Sequence, residues 1–210
     1  MAKTWIFDFD GTLVHSESAI TQCLQRITKK LAPHRLEIAK NVLIGPPLRQ
    51  TVAEILGDRE HPLIDKFVAT FIPMHDDNVL QHTTPYPSAH EVLTSLHQRG
   101  DKMAIATNKR RAPTVKILEH LNWDPLFLFV ECSDGQEELR HKDQMIEAII
   151  EKDSDFQGAN FVGDTVGDGL SANSSNTPFI KASYGYGQAQ DWSEVNITKA
   201  INTPDELLMI

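Results

Sequence analysis

Thr4-Trp5-Ile6-Phe7-Asp8-Phe9-Asp10-Gly11-Thr12-Leu13-Val14 opens the chain with an aromatic and branched apolar run, broken by two carboxylates and closed by a Gly-Thr turn. Such a run reads as a buried strand. Residues two apart in a strand share a side, so Asp8 and Asp10 are expected near each other where the strand runs out. Two anions there repel and lose hydration, a cost that a cation or a shared proton must offset. In open α/β sheets ligands bind outside the carboxyl ends of the strands, which makes this the expected place for chemistry.

Working outward, residues 15–83 change character. Ser16 can cap a helix that sets Ala19, Ile20, Cys23, Leu24 and Ile27 on one face, and further helical pieces are expected around 35–43, 48–57 and 62–80. Pro33, Gly45-Pro46-Pro47 and Gly57 separate them, and no convincing strand appears. Thr83-Thr84-Pro85-Tyr86-Pro87 reads as a hinge that returns the chain. From Ser88 the pattern alternates. Helices over about 88–99, 111–122, 142–152 and 167–174 separate strands at 103–107, 126–131, 159–164 and 178–182. That alternation predicts right-handed βαβ units and a parallel sheet covered on both faces. A last short helix is expected over 206–209. The fold class is therefore α/β: a Rossmann-like core, 1–14 and 84–210, carrying an inserted all-helical domain, 15–83.

The 210 residues carry 29 acidic against 20 basic side chains, a net charge of -9 that argues against nucleic acid as a partner. A small phosphorylated substrate stays admissible, because a metal ion reverses the field locally. Cys23 and Cys132 form no disulfide framework or metal-ligand spacing, which points to a reducing compartment. No signal peptide is expected, since Asp8 breaks the apolar stretch at 5–7, and no run has membrane-spanning length. A soluble cytoplasmic protein is the expectation.

Three further groups stand at element ends. Thr107-Asn108-Lys109 closes the second strand, where a hydroxyl and an amide can donate to phosphoryl oxygens. Lys142 starts a helix. Gly163-Asp164-Thr165-Val166-Gly167-Asp168 ends another buried strand in a carboxylate, with a second one helical turn on. Hard divalent cations such as Mg²⁺ prefer these oxygen ligands.

In this order and spacing the four groups resemble the motifs of the haloacid dehalogenase superfamily, and the resemblance covers essentially the whole chain. An insertion directly after the first motif is the place of that superfamily's helical cap. The resemblance implies a nucleophile at Asp8, a general acid and base at Asp10, and phosphate contacts from Thr107, Asn108 and Lys142. It implies Mg²⁺ held by Asp8, the Asp10 carbonyl and Asp164, with Asp168 holding a metal-bound water. The second aspartate excludes the dehalogenase branch. Gly45-Pro46-Pro47-Leu48, Tyr86-Pro87 and Ser183-Tyr184-Gly185-Tyr186-Gly187 look most like phosphoglycolate phosphatase-like proteins. Three departures are His15 in place of a frequent aspartate, Asp143 in place of proline after Lys142, and Ala172-Asn173-Ser174-Ser175-Asn176 after the fourth motif. The expected activity is Mg²⁺-dependent hydrolysis of a small phosphomonoester through an aspartyl-phosphate. A phosphosugar mutase-type phosphotransferase and a catalytically silent binding protein are the alternatives. Arg49, beside the Gly-Pro-Pro turn, is the expected contact for a second anionic group on the substrate. His75-Asp76-Asp77 reads as a solvated acidic segment, and Trp5, Trp123 and Trp192 as packing residues.

Overall fold

In the computed structural model, which describes residues 2–134 and 140–210, β1 (Thr4–Phe7) and β2 (Val14–His15) lead into four helices. These are α1 (Glu17–Leu31), α2 (Leu36–Asn41), α3 (Leu48–Leu56) and α4 (Ile64–Asn78). The chain returns through β3 (Thr84–Pro85) and alternates from there: α5 (Ala89–Gln98), β4 (Lys102–Thr107), α6 (Arg111–His120), β5 (Phe129–Cys132) and α7 (Lys142–Lys152). It ends with β6 (Asn160–Gly163), α8 (Val166–Ser174), β7 (Phe179–Ala182) and β8 (Lys199–Ile201).

Six strands form one sheet in the order β5-β4-β1-β6-β7-β8, and every pairing in it is parallel. Alternate side chains explain why these strands are apolar throughout. Trp5 and Phe7 join Met103, Ile105 and Leu93 on one face, while Ile6 joins Ala104, Ala106, Met145 and Ile149 on the other. A strand buried on both faces has no polar position to spare until it ends. The indole N–H groups are satisfied: Trp5 Nε1 donates to Asp101 Oδ2 at 3.0 Å and Trp123 Nε1 to His90 Nδ1 at 2.8 Å. Because β4 and β6 flank β1 on opposite sides, the strand order reverses at β1, and a crevice opens at its carboxyl end.

The four helices bury an apolar cluster of their own, with Leu24 and Ile27 of α1, Val52 and Ile55 of α3, and Phe67 and Phe71 of α4 at its centre. Where the chain leaves for these helices and returns, β2 and β3 pair antiparallel, Val14 with Pro85 and His15 with Thr84. Two-residue strands carry no readable period, so only the hinge was legible there. Strand β8, also unread, has a single buried residue, Ile201, and is held by its pairing to β7. The strand expected at 126–131 begins later, because residues 124–126 wind into a 3₁₀ turn around Pro125. The expected terminal helix is a 3₁₀ segment, Pro204–Met209. Ser16 stands before α1 without capping it by its side chain; the Tyr186 hydroxyl accepts from the Ser16 and Glu17 amides instead, at 2.8 and 3.1 Å. Among the described residues no helix is long and apolar enough to cross a membrane.

Trp5 is fully buried beneath the crevice. Trp5→Ala is expected to cost about 3–5 kcal/mol, the range for large aromatic truncations, including the lost indole hydrogen bond to Asp101. Urea unfolding followed by far-ultraviolet circular dichroism measures it.

Candidate active site

The crevice collects groups from five element ends. Strand β1 stops at Phe7, so Asp8 and Asp10 both stand beyond it, although the Asp8 amide still donates to the Val162 carbonyl at 2.8 Å. Asp164 follows β6, Asp168 lies in the first turn of α8, Lys142 begins α7, and Thr107 ends β4. Gly11 makes the turn at φ +91°, and a Cβ there would meet Asp164 Oδ2 at 2.2 Å. A Cβ on Gly185 would meet the Cβ of Asp164 at the same distance. Only glycine lets both loops close on that carboxylate.

Lys142 Nζ donates to Asp8 Oδ1 at 2.6 Å and to Asp168 Oδ1. The other Asp168 oxygen accepts from the Thr165 amide and hydroxyl at 2.8 and 2.7 Å. Asp164 takes the Tyr186 amide at 2.6 Å and the Thr12 hydroxyl at 3.2 Å. Oxygens of Asp8, Asp164 and Asp168 lie within 4.8 Å of one another, and all three side chains are buried. Burial raises the Asp8 pKa to about 7 against the opposing pull of Lys142, with Asp168 adding to the rise. Burial, then Asp168 and Asp8, raise Asp164 well above the carboxylate range. Burial opposes the charge on Lys142, but Asp168 and Asp8 outweigh it and hold the ammonium. Three carboxylates therefore share one cation, and the excess negative charge, presented entirely by oxygen, suits a hard divalent ion.

Asp10 has separate partners. Its Oδ1 accepts from the Ser16 hydroxyl at 2.5 Å and from Lys109 Nζ at 3.0 Å, and its Oδ2 from Lys109 Nζ at 3.2 Å. A cavity of about 80 Å³ lies over both aspartates, with Thr107 and Asn108 on the sheet side and Leu24, Leu48, Phe71 and His75 on the helical side. Asn108 Nδ2 donates across to the Gly45 carbonyl at 2.9 Å. Arg140, the neighbour that could have been mistaken for the motif lysine, pairs instead with Glu131, away from Asp8.

Two expectations are corrected here. Arg49 is exposed at the start of α3, its guanidinium 2.6 Å from Asp65, and it does not line the cavity. Of His75-Asp76-Asp77 only Asp77 is exposed as expected. His75 is buried and stacked on Phe71, with Nδ1 3.3 Å from Asp76 Oδ1, and Asp76 pairs with Arg110. Burial pushes His75 down to about 4, and the Lys109 charge acts in the same direction against the pull of Asp76 and Asp10. The periodicity of α4 held the available signal, because position 75 continues the face of Phe67 and Phe71.

Residues 5–182 match the haloacid dehalogenase-like hydrolase family, and the chain belongs to it. It is an enzyme of that family. The chain is 30% identical over 188 residues to a phosphoglycolate phosphatase of Agrobacterium fabrum, covering 86% of this chain and 80% of that one. It is 26% identical over 208 residues to a phosphoglycolate phosphatase of Psychrobacter arcticus, covering 94% and 90%. Among solved structures it resembles a haloacid dehalogenase-like hydrolase from Streptococcus pneumoniae, with a TM-score of 0.82 at 20% identity over 99% of this chain and 97% of that one.

His75 generates a prediction. Its pKa in the folded protein lies below the ordinary 6.5, so the unfolded chain takes up the proton first as pH falls. The stability tied to the neutral ring is intact above pH 6.5 and lost progressively down to about 4. Between pH 7.5 and 4.5 the native protein should lose roughly 2–3 kcal/mol more than His75→Gln. Urea titrations of both proteins at the two pH values give the difference.

Proposed function

We propose that the protein is a Mg²⁺-dependent phosphatase that hydrolyses a small phosphomonoester through an aspartyl-phosphate. In this reading residues 1–14 and 84–210 are the catalytic core and residues 15–83 the cap over it. The observation that carries it is the Lys142 bridge, which holds the Asp8 carboxylate at the floor of a cavity beside Asp164 and beneath Asp10. The phosphoglycolate phosphatases among the relatives support the substrate class.

Asp8 Oδ is the nucleophile. Its attack on phosphorus forms an aspartyl-phosphate and splits one difficult displacement into two easier ones. Lys142 holds the attacking oxygen in place and balances charge as the phosphoryl group arrives. Thr107 and Asn108, at the end of β4, supply donors to the phosphoryl oxygens. Asp10 gives its proton to the leaving oxygen, then takes one from the water that attacks the intermediate. Lys109 and Ser16 fix the Asp10 carboxylate for both transfers. Asp8, Asp164 and the Asp10 carbonyl would hold Mg²⁺, whose charge offsets repulsion between the nucleophile and the phosphate. Asp168, with an oxygen within 4.8 Å of those of Asp8 and Asp164, would hold a metal-bound water, while its contacts to Lys142 and Thr165 fix its place. The cap walls exclude water from the attack. A mutase-type transfer would need a second anion site, and Arg49, paired with Asp65 on the surface, does not line the cavity. Two free, buried cysteines accord with a cytoplasmic enzyme.

Phosphate release from 4-nitrophenyl phosphate, with and without Mg²⁺, tests the reading. Asp8→Asn should lower kcat/KM by at least about 1,000-fold, as for the loss of other covalent nucleophiles. Near-native turnover by that variant would overturn the mechanism. Asp164→Ala and chelation should each abolish Mg²⁺-stimulated release, and turnover indifferent to chelator would overturn the metal assignment.

A further inference from the structure

Tyr186 touches both bodies of the protein. It follows β7 in a loop that lies against Asp164, and its amide donates to Asp164 Oδ2 at 2.6 Å. Gly187, the next residue, has no room for a side chain, since a Cβ there would meet the Asp164 carbonyl oxygen at 2.2 Å. The backbone of Tyr186 is therefore fixed to the core. Its side chain reaches the helical body, where it packs against the apolar cluster and meets the His15 ring with centroids 5.9 Å apart. At its tip the hydroxyl oxygen accepts from the Ser16 and Glu17 amides at 2.8 and 3.1 Å.

Ser16 carries that placement onward. It is completely buried, directly after the β2–β3 ribbon, and its side chain does not cap α1. Its hydroxyl donates instead to Asp10 Oδ1 at 2.5 Å, and lies 3.4 Å from the Tyr186 hydroxyl. Without the phenol oxygen, the buried Ser16 amide would lose its acceptor and the residue would shift towards another. Asp10 would then keep Lys109 and lose the partner supplied by the crossing segment. Proton transfer is sensitive to such a change, because donor and acceptor must approach to about 2.6–3.2 Å. A role confined to capping α1 would account for the two amide bonds but not for the alignment of Ser16 on Asp10.

We propose that Tyr186 is a positioning residue for the general-acid step: its hydroxyl, anchored to the core beside Asp164, holds Ser16 so that Ser16 aligns Asp10 with the leaving oxygen. The inference rests on the phosphatase reading above. In the step it serves, the bond from Asp8 Oδ to phosphorus forms as the bond from phosphorus to the leaving oxygen breaks. The Asp10 proton passes to that oxygen. The need for this proton rises with the basicity of the leaving group. The value of kcat/KM reports this half of the reaction, because the leaving group has departed before water attacks the intermediate.

Phenyl phosphate and 4-nitrophenyl phosphate, esters of similar shape, test it with the Mg²⁺-loaded enzyme. Phenoxide is the more basic leaving group and needs the proton, whereas 4-nitrophenoxide departs with little help. Tyr186→Phe keeps the ring and the backbone amide and removes the hydroxyl. Its kcat/KM should fall about tenfold further with phenyl phosphate than with 4-nitrophenyl phosphate, part of the roughly 100-fold or more that a general acid contributes. Ser16→Ala leaves Tyr186 in place and should show the same selective loss. The double variant should show a selective loss no larger than that of Ser16→Ala, because the two residues act in series. Equal losses on both esters, as a weakened α1 or a misfolded chain would give, overturn the inference while leaving the phosphatase reading intact. So does the absence of any loss, and so do selective losses that multiply in the double variant. Failure of the native enzyme on both esters overturns the phosphatase reading itself and this inference with it.

Discussion

A single buried ammonium shared by two carboxylates, Lys142 between Asp8 and Asp168, is the interaction on which the rest of the structure depends. Such a bridge is not an efficient source of stability, because three ions give up their hydration to form it. Its value lies in placement. It brings the end of β1, the start of α7 and the first turn of α8 to one point, and Asp164 joins them from the end of β6. One cation among these carboxylates leaves the pocket short of positive charge. That shortage fits both a divalent ion and an anionic substrate brought in with it. The backbone yields to the same demand at Gly11 and Gly185, where no side chain has room beside Asp164.

The helical body answers a different constraint. It has an apolar cluster of its own, against which Tyr186 of the core packs, and it also meets the core beside the crevice through polar contacts. Asn108 reaches the Gly45 carbonyl, Arg110 holds Asp76, and the Tyr186 hydroxyl takes two amides at the start of α1. Water can replace contacts of this kind at small net cost, in contrast to the apolar packing inside each body. The short β2–β3 ribbon keeps the two crossings of the chain together, so the body is tethered at one place. Asp10 sits at that junction, bonded to Ser16 of the crossing segment and to Lys109 of the core. Asp10 is thus positioned by both bodies, and Asp8 by the core alone.

What the sequence by itself determined follows from local physics. Strands buried on both faces must be continuously apolar, so 103–107 and 159–164 were legible, as was the helix at 142–152, and their alternation implied a parallel sheet. Carboxylates that end such strands are conspicuous because burial penalises them, and that exposed Asp8 and Asp164 as candidates. The resemblance then gave a role to Lys142, whose residue type alone is unremarkable at a helix start. What only the tertiary structure decided involves partners far apart in the chain. Arg49 is taken by Asp65, sixteen residues on, and Asp76 by Arg110, thirty-four residues on. No local pattern distinguishes a paired cation from a free one, so the sequence pointed to Arg49 and passed over His75. The β2–β3 ribbon and β8 are too short to carry a period and exist only through the strands they pair with. Periodicity and burial cost act along the chain and can be read from it. Which cation meets which carboxylate depends on the neighbours the fold supplies, and only the folded chain supplies them.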